Sequence, residues 1–139
     1  IFAAAGFSLA SLARKPDQPI NLDLLRHFIG DRQVHSGRIL LQVPPVADNS
    51  RVVPVLVSVE SPMTEQDYVR LVLLLVPGNV DAEAATYHFT PDCGRARVDF
   101  RCRLRRTTPV IALAEMSDGS VYMADKTVTV PGSEPVVVG

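Results

Sequence analysis

No tryptophan occurs among the 139 residues, and cysteine is nearly absent, with two. Cys93 and Cys102 are too few to frame a fold with disulfides. Eight residues separate them, and on extended chain that spacing holds the sulfurs far beyond bonding reach. Both are therefore expected as free thiols, one of them in a turn (Asp92-Cys93-Gly94) and one mid-strand. An excess of one charge is also missing: 14 basic residues face 15 acidic ones, for a net charge of -1. That balance argues against nucleic acid or an anionic membrane as the main partner. No Gly-x-Ser-x-Gly occurs, and no pair of carboxylates divides into acid and base. Pro77-Gly78-Asn79 is a turn and not a glycine-rich phosphate cradle. His27, His35 and His88 have no second His or Cys two to four positions away, which is not how a metal site is usually spaced. The expectation is a chain that is no enzyme and holds no cofactor or metal.

What is present is a chain of 47% hydrophobic residues with 11 prolines. Many valines and many prolines together give short strands cut by turns, an all-β composition. At this length one domain is expected, hiding roughly two-thirds of its unfolded surface.

Ile1 opens the chain, which reads as the interior of a longer precursor. Residues 1–13, IFAAAGFSLASLA, are apolar and rich in small residues, and Ser11-Leu12-Ala13 precedes Arg14-Lys15. That is the pattern of a signal-peptide remnant, with a packed N-terminal helix as the alternative. The stretch is too short to cross a bilayer, so no membrane insertion is expected. Residues 14–36 read as a proline-broken linker and a short helix. The helix covers 21–30, with Asn21 as cap, Leu24, Leu25, Phe28 and Ile29 on one face, and Gly30 as the stop.

Strands are expected over 37–43, 52–60, 68–76, 85–91, 96–104, 109–116 and 121–130. Residues 77–84 form a loop, and 92–95 and 117–120 form turns. In 52–60 the valines at 53, 55, 57 and 59 alternate with other residues, and Pro54 marks an edge or a bulge. The run YVRLVLLLV at 68–76 is apolar almost throughout, as in a strand covered on both faces. In 96–104, Val98, Phe100, Cys102 and Leu104 point one way, and Arg97, Asp99, Arg101 and Arg103 the other. The arginine row reads most simply as a solvated face, and Cys102 as a small core residue. Seven short strands with Gly, Pro, Asn and Asp between them predict an immunoglobulin-like β-sandwich.

Three stretches are more specific than a generic sandwich. They are VPVLVSVESPMTEQDYV at 53–69, YHFTPDCGRA at 87–96 and VIALAEMSDGSVYMA at 110–124. Together they resemble SoxY, the sulfur-carrier subunit of the bacterial thiosulfate-oxidising Sox system, over residues 37–130. The resemblance implies the sandwich fold, twin-arginine export to the periplasm, and a heterodimer with SoxZ. It also implies contacts with other Sox-type periplasmic proteins. The family ends in a flexible Gly-Gly-Cys-Gly-Gly arm whose cysteine takes up thiosulfate sulfur.

Here the tail, residues 131–139, departs from that pattern. Carried over by position, Pro131-Gly132-Ser133-Glu134-Pro135 falls where the arm belongs. Ser133 stands at the carrier cysteine, Gly132 survives, and prolines replace flanking glycines. A serine hydroxyl gives no thiolate, each proline fixes φ, and Glu134 places a negative charge beside an anionic cargo. Pro135-Val136-Val137-Val138-Gly139 is apolar enough to add as a strand to a sheet edge. The expected function is a non-catalytic, cysteine-lacking SoxY-like scaffold subunit with a SoxZ-like partner. The alternatives are a carrier that uses Cys93 and a SoxY-like module associated with a periplasmic quinoprotein dehydrogenase.

Overall fold

The computed structural model describes residues 23–78 and 83–133. The signal-like segment 1–13, the linker, the Asn21 cap, Glu134, Pro135 and the apolar end of the tail lie outside the described residues. Among the described residues, one α-helix, α1 (Asp23–Ile29), precedes eight strands. These are β1 (Val34–His35), β2 (Ile39–Gln42), β3 (Val53–Val59), β4 (Val69–Leu75), β5 (Glu83–His88), β6 (Ala96–Cys102), β7 (Thr108–Met116) and β8 (Val121–Val128). They form a five-stranded sheet in the order β1-β8-β7-β4-β5 and a three-stranded sheet in the order β2-β3-β6. The two face each other as an immunoglobulin-like sandwich, the expected class.

The interior is built by period-two alternation. Val53, Val55, Val57 and Val59 of β3 are buried and meet Val72 and Leu74 of β4 and Val110, Ala112 and Ala114 of β7 in one cluster. Register matches large to small across the ladder, with Val72 opposite Ala114 and Leu74 opposite Ala112. The other face of the five-stranded sheet is also covered. Leu73, Leu75, Ile111, Leu113, Val121 and Met123 form a second cluster with Leu25 and Ile29 of α1 and Val34 of β1. This explains why β4 and β7 are apolar at nearly every position.

Several boundaries differ from the expectation. The strand expected over 37–43 starts only at Ile39, because Gly37 and Arg38 take left-handed backbone, with φ of 93° and 61°. The loop expected over 77–84 ends earlier, since β5 opens at Glu83. The strand expected over 85–91 stops at His88, and Pro91 opens a 3-10 turn (Pro91–Cys93) that Gly94 ends at φ 73°. β3 is the middle strand of its sheet, so Pro54 is not on an edge strand as such. It lies beyond the last β2 pair, Gln42 with Leu56, where only β6 runs alongside. That stretch is locally an edge, which is where a residue without an N–H fits. β1 was not expected. It pairs parallel with β8 through Val34–Val121 and His35–Tyr122, and ties the helix segment into the sheet.

Candidate functional site

The end of β8 leads to the first candidate, the start of the tail. Thr129 accepts from the Ala47 N–H at 2.8 Å and donates its own N–H to the Pro45 carbonyl at 2.8 Å. Both bonds fasten the chain before the tail begins. Pro131 and Gly132 then form the corners of a tight turn. Gly132 has φ 79°, and the Ser133 N–H donates to the Val130 carbonyl at 3.2 Å. Proline at the second position and a positive-φ glycine at the third are what a type II turn requires.

Ser133 is half-buried and fully engaged. Its hydroxyl donates to the Val130 carbonyl at 2.5 Å and accepts from the Thr107 N–H at 3.0 Å. The Thr107 hydroxyl lies 3.3 Å from it and accepts from the Val130 N–H at 2.9 Å. Two hydroxyls from segments 26 residues apart thus clamp the turn against the loop between β6 and β7. Ser133, expected at the place of a swinging nucleophile, is the last residue of an anchored turn. Sequence reasoning singled out Ser133 and missed Thr107, whose role appears only when the fold brings the two together.

The thiols separate as expected. Cys93 is exposed and Cys102 buried, and both are free. Cys102 sits opposite Val53 on the interior face of β6, and burial pushes its thiol pKa up. That makes it a core residue and a poor nucleophile. Cys93 ends the 3-10 turn, and its sulfur accepts from the Thr90 N–H at 3.5 Å. It belongs to a three-residue turn held at both ends, and not to an arm.

The histidines lie on separate elements: His27 on α1, His35 on β1 and His88 on β5. Among the described residues, no three His, Cys, Asp or Glu side chains gather where they could hold a metal ion. His35 packs at a tilt against Tyr122 with centroids 5.3 Å apart, and the Arg38 guanidinium lies 5.3 Å from the same ring. Arg32 caps α1 by donating to the Phe28 and Ile29 carbonyls and pairs with Glu115 of β7. These contacts hold the helix and β1 to the sheet.

Ser117-Asp118-Gly119 is a tight turn, as expected. The Gly119 N–H donates to the Met116 carbonyl at 2.9 Å. The Asp118 carboxylate accepts from the Ser120 hydroxyl at 2.6 Å and its N–H at 2.9 Å. Those bonds hold the Asp118 pKa below its ordinary value, the hydroxyl contributing most.

The arginine row lies on the outer face of the three-stranded sheet. Arg97 and Arg101 are exposed, with Asp99 between them and 3.7 Å from Arg97. Beside them a groove of about 450 Å³ is lined by Gln42, Pro44, Pro54, Leu56, Phe100 and Arg101.

Comparison with known proteins adds the lineage. The family model described as "Sulfur oxidation protein SoxY" matches residues 25–133. The chain belongs to the SoxY family. Membership gives it a role in sulfur oxidation. Among solved structures it is similar to the sulfur carrier protein SoxY from Chlorobium limicola f thiosulfatophilum, at 22% identity and a TM-score of 0.65. That match covers 78% of this chain and 93% of the other. It is also similar to a superoxide reductase (neelaredoxin) from Ignicoccus hospitalis, at 16% identity and a TM-score of 0.62, covering 89% of this chain and 99% of that one. At these identities the structural likenesses show the fold alone. No curated protein matches the chain.

Proposed function

We propose that this chain is an exported, periplasmic SoxY-like subunit that has lost sulfur carriage at the tail and keeps a structural role beside a SoxZ-like partner. The observation that carries this reading is the state of Ser133. Loading a carrier joins two sulfur atoms and removes two electrons, which needs a thiolate at the carrier position. Ser133 offers a hydroxyl with a far higher pKa, and that hydroxyl is already committed to Val130 and Thr107. A type II turn held from both sides also withdraws the freedom that a glycine arm supplies.

The sandwich itself is intact, with both faces of the five-stranded sheet covered, which supports a role that rests on the folded body and not on the tail. A second reading keeps carriage and moves it to Cys93, because that thiol is free and exposed. The short, capped turn around it weighs against delivery into a narrow site.

Co-expression with a SoxZ-like subunit, followed by affinity capture and analytical ultracentrifugation, tests the proposal. A stable one-to-one heterodimer is expected, unchanged by Ser133→Ala or Cys93→Ser. A chain that stays alone in the presence of that subunit would contradict it.

A further inference from the structure

The charges are near balance overall but unevenly placed. Six of the 14 basic residues are arginines within residues 95–106, a segment whose sole acidic residue is Asp99. The rest of the chain carries eight basic against 14 acidic residues. β6, at the centre of that segment, is an edge strand of the three-stranded sheet. Within it Asp99 lies 3.7 Å from Arg97, and the facing strands add no acidic residue. Across the ladder, Arg97 faces Ser58, Asp99 faces Leu56 and Arg101 faces Pro54. One strand further, Leu56 faces Gln42 and Ser58 faces Leu40. The outer positions of β2 and β3 therefore hold no charged residue.

That face also carries apolar residues, Leu40, Pro54 and Leu56, among its polar ones. Leu40 is 50% exposed. Leu56 and Pro54 line the groove together with Arg101 and Asp99.

We infer that the outer face of β2, β3 and β6 is a docking surface for an acidic protein partner. The partner would seat an apolar side chain in the groove over Leu56 and Pro54 and set carboxylates opposite Arg97 and Arg101. Arginine suits this role because its planar fork meets carboxylates in a bidentate way. Asp99, in the middle of the row, disfavours a polyphosphate and fits a protein of mixed pattern. The inference names a surface and a partner chemistry. It does not depend on the loss of carriage at Ser133, nor on the partner being SoxZ-like.

The test uses a fluorescein-labelled decapeptide of alternating glutamate and valine as probe, followed by anisotropy. A lysine–valine decapeptide and a single-stranded DNA oligonucleotide serve as comparisons. The glutamate peptide is expected to bind, to weaken as salt rises, and to bind Arg97→Gln/Arg101→Gln about tenfold less tightly. Leu56→Ser, which leaves the charges in place, is expected to weaken it with the salt dependence unchanged. No binding, equal binding of the lysine peptide, tighter binding of the oligonucleotide, or indifference to the arginine substitutions would each overturn the inference. So would sedimentation showing that the wild-type chain self-associates through this face, since the occupant would then be a second copy.

Discussion

Ser133 and Thr107 show how a single position can change meaning. In the sequence Ser133 stands out by what it replaces. In the structure it is a capping hydroxyl whose partner lies 26 residues away. Thr107→Val keeps the shape and removes the acceptor for the Val130 N–H. A loss of about 1–2 kcal/mol is expected, read as a lower urea midpoint. Thr107→Ser keeps the hydroxyl and is expected to stay within about 0.5 kcal/mol of wild type.

Asp125 is a second residue-scale case. It lies on β8 opposite Ile111, and burial raises its pKa. A raised carboxyl contributes stability that is full below the unfolded value of about 3.9, and that is lost as pH rises through the folded value. Ionised Asp125 is then a burden near neutral pH. Asp125→Asn is expected to raise the urea midpoint at about pH 7 and leave it nearly unchanged at about pH 3. An equal gain at both pH values would mean that charge is not the cause. Neither residue's role was legible in sequence, because each depends on what the fold sets opposite it.

At the scale of elements, periodicity carried most of the information. The alternating valines of β3 point inward as expected, and the unbroken apolar runs of β4 and β7 are covered on both faces. What periodicity did not hold is phase. Between Val69 and Leu71 the ladder with β7 slips, which lets Val69 and Val72 share the sandwich interior. Strict alternation would put them on opposite faces. β1 was equally hidden: two residues are too short for any pattern, and only pairing with β8 defines them. The helix was readable from its apolar stripe and from Gly30, which ends it at φ 59°, but its purpose was not. α1 has seven residues, too few to persist alone, and it survives by burying Leu25 and Ile29 over β7 and β8. Leu25→Ala is expected to cost about 3 kcal/mol, with amide exchange in 23–35 rising more than in β3 and β6. Uniform protection loss would show that the helix is not a separable cover.

At the scale of the whole molecule, the chain is a SoxY sandwich with a tail that begins as an anchored turn. The family could be recognised from three stretches of sequence because they build paired strands and the turns between them. The basic outer face of β6 was visible only as a row of arginines; its uncharged neighbours and the groove required the sheet order. The central claim is that the sandwich persists while the tail no longer carries sulfur. Intact-protein mass spectrometry tests it most directly, on reduced protein incubated with thiosulfate and a Sox-type cytochrome oxidant. An unchanged mass, with a cysteine-armed SoxY loaded in parallel, is the predicted result. A reductant-labile adduct of sulfur mass, mapped to Cys93 or elsewhere on the chain, would contradict it.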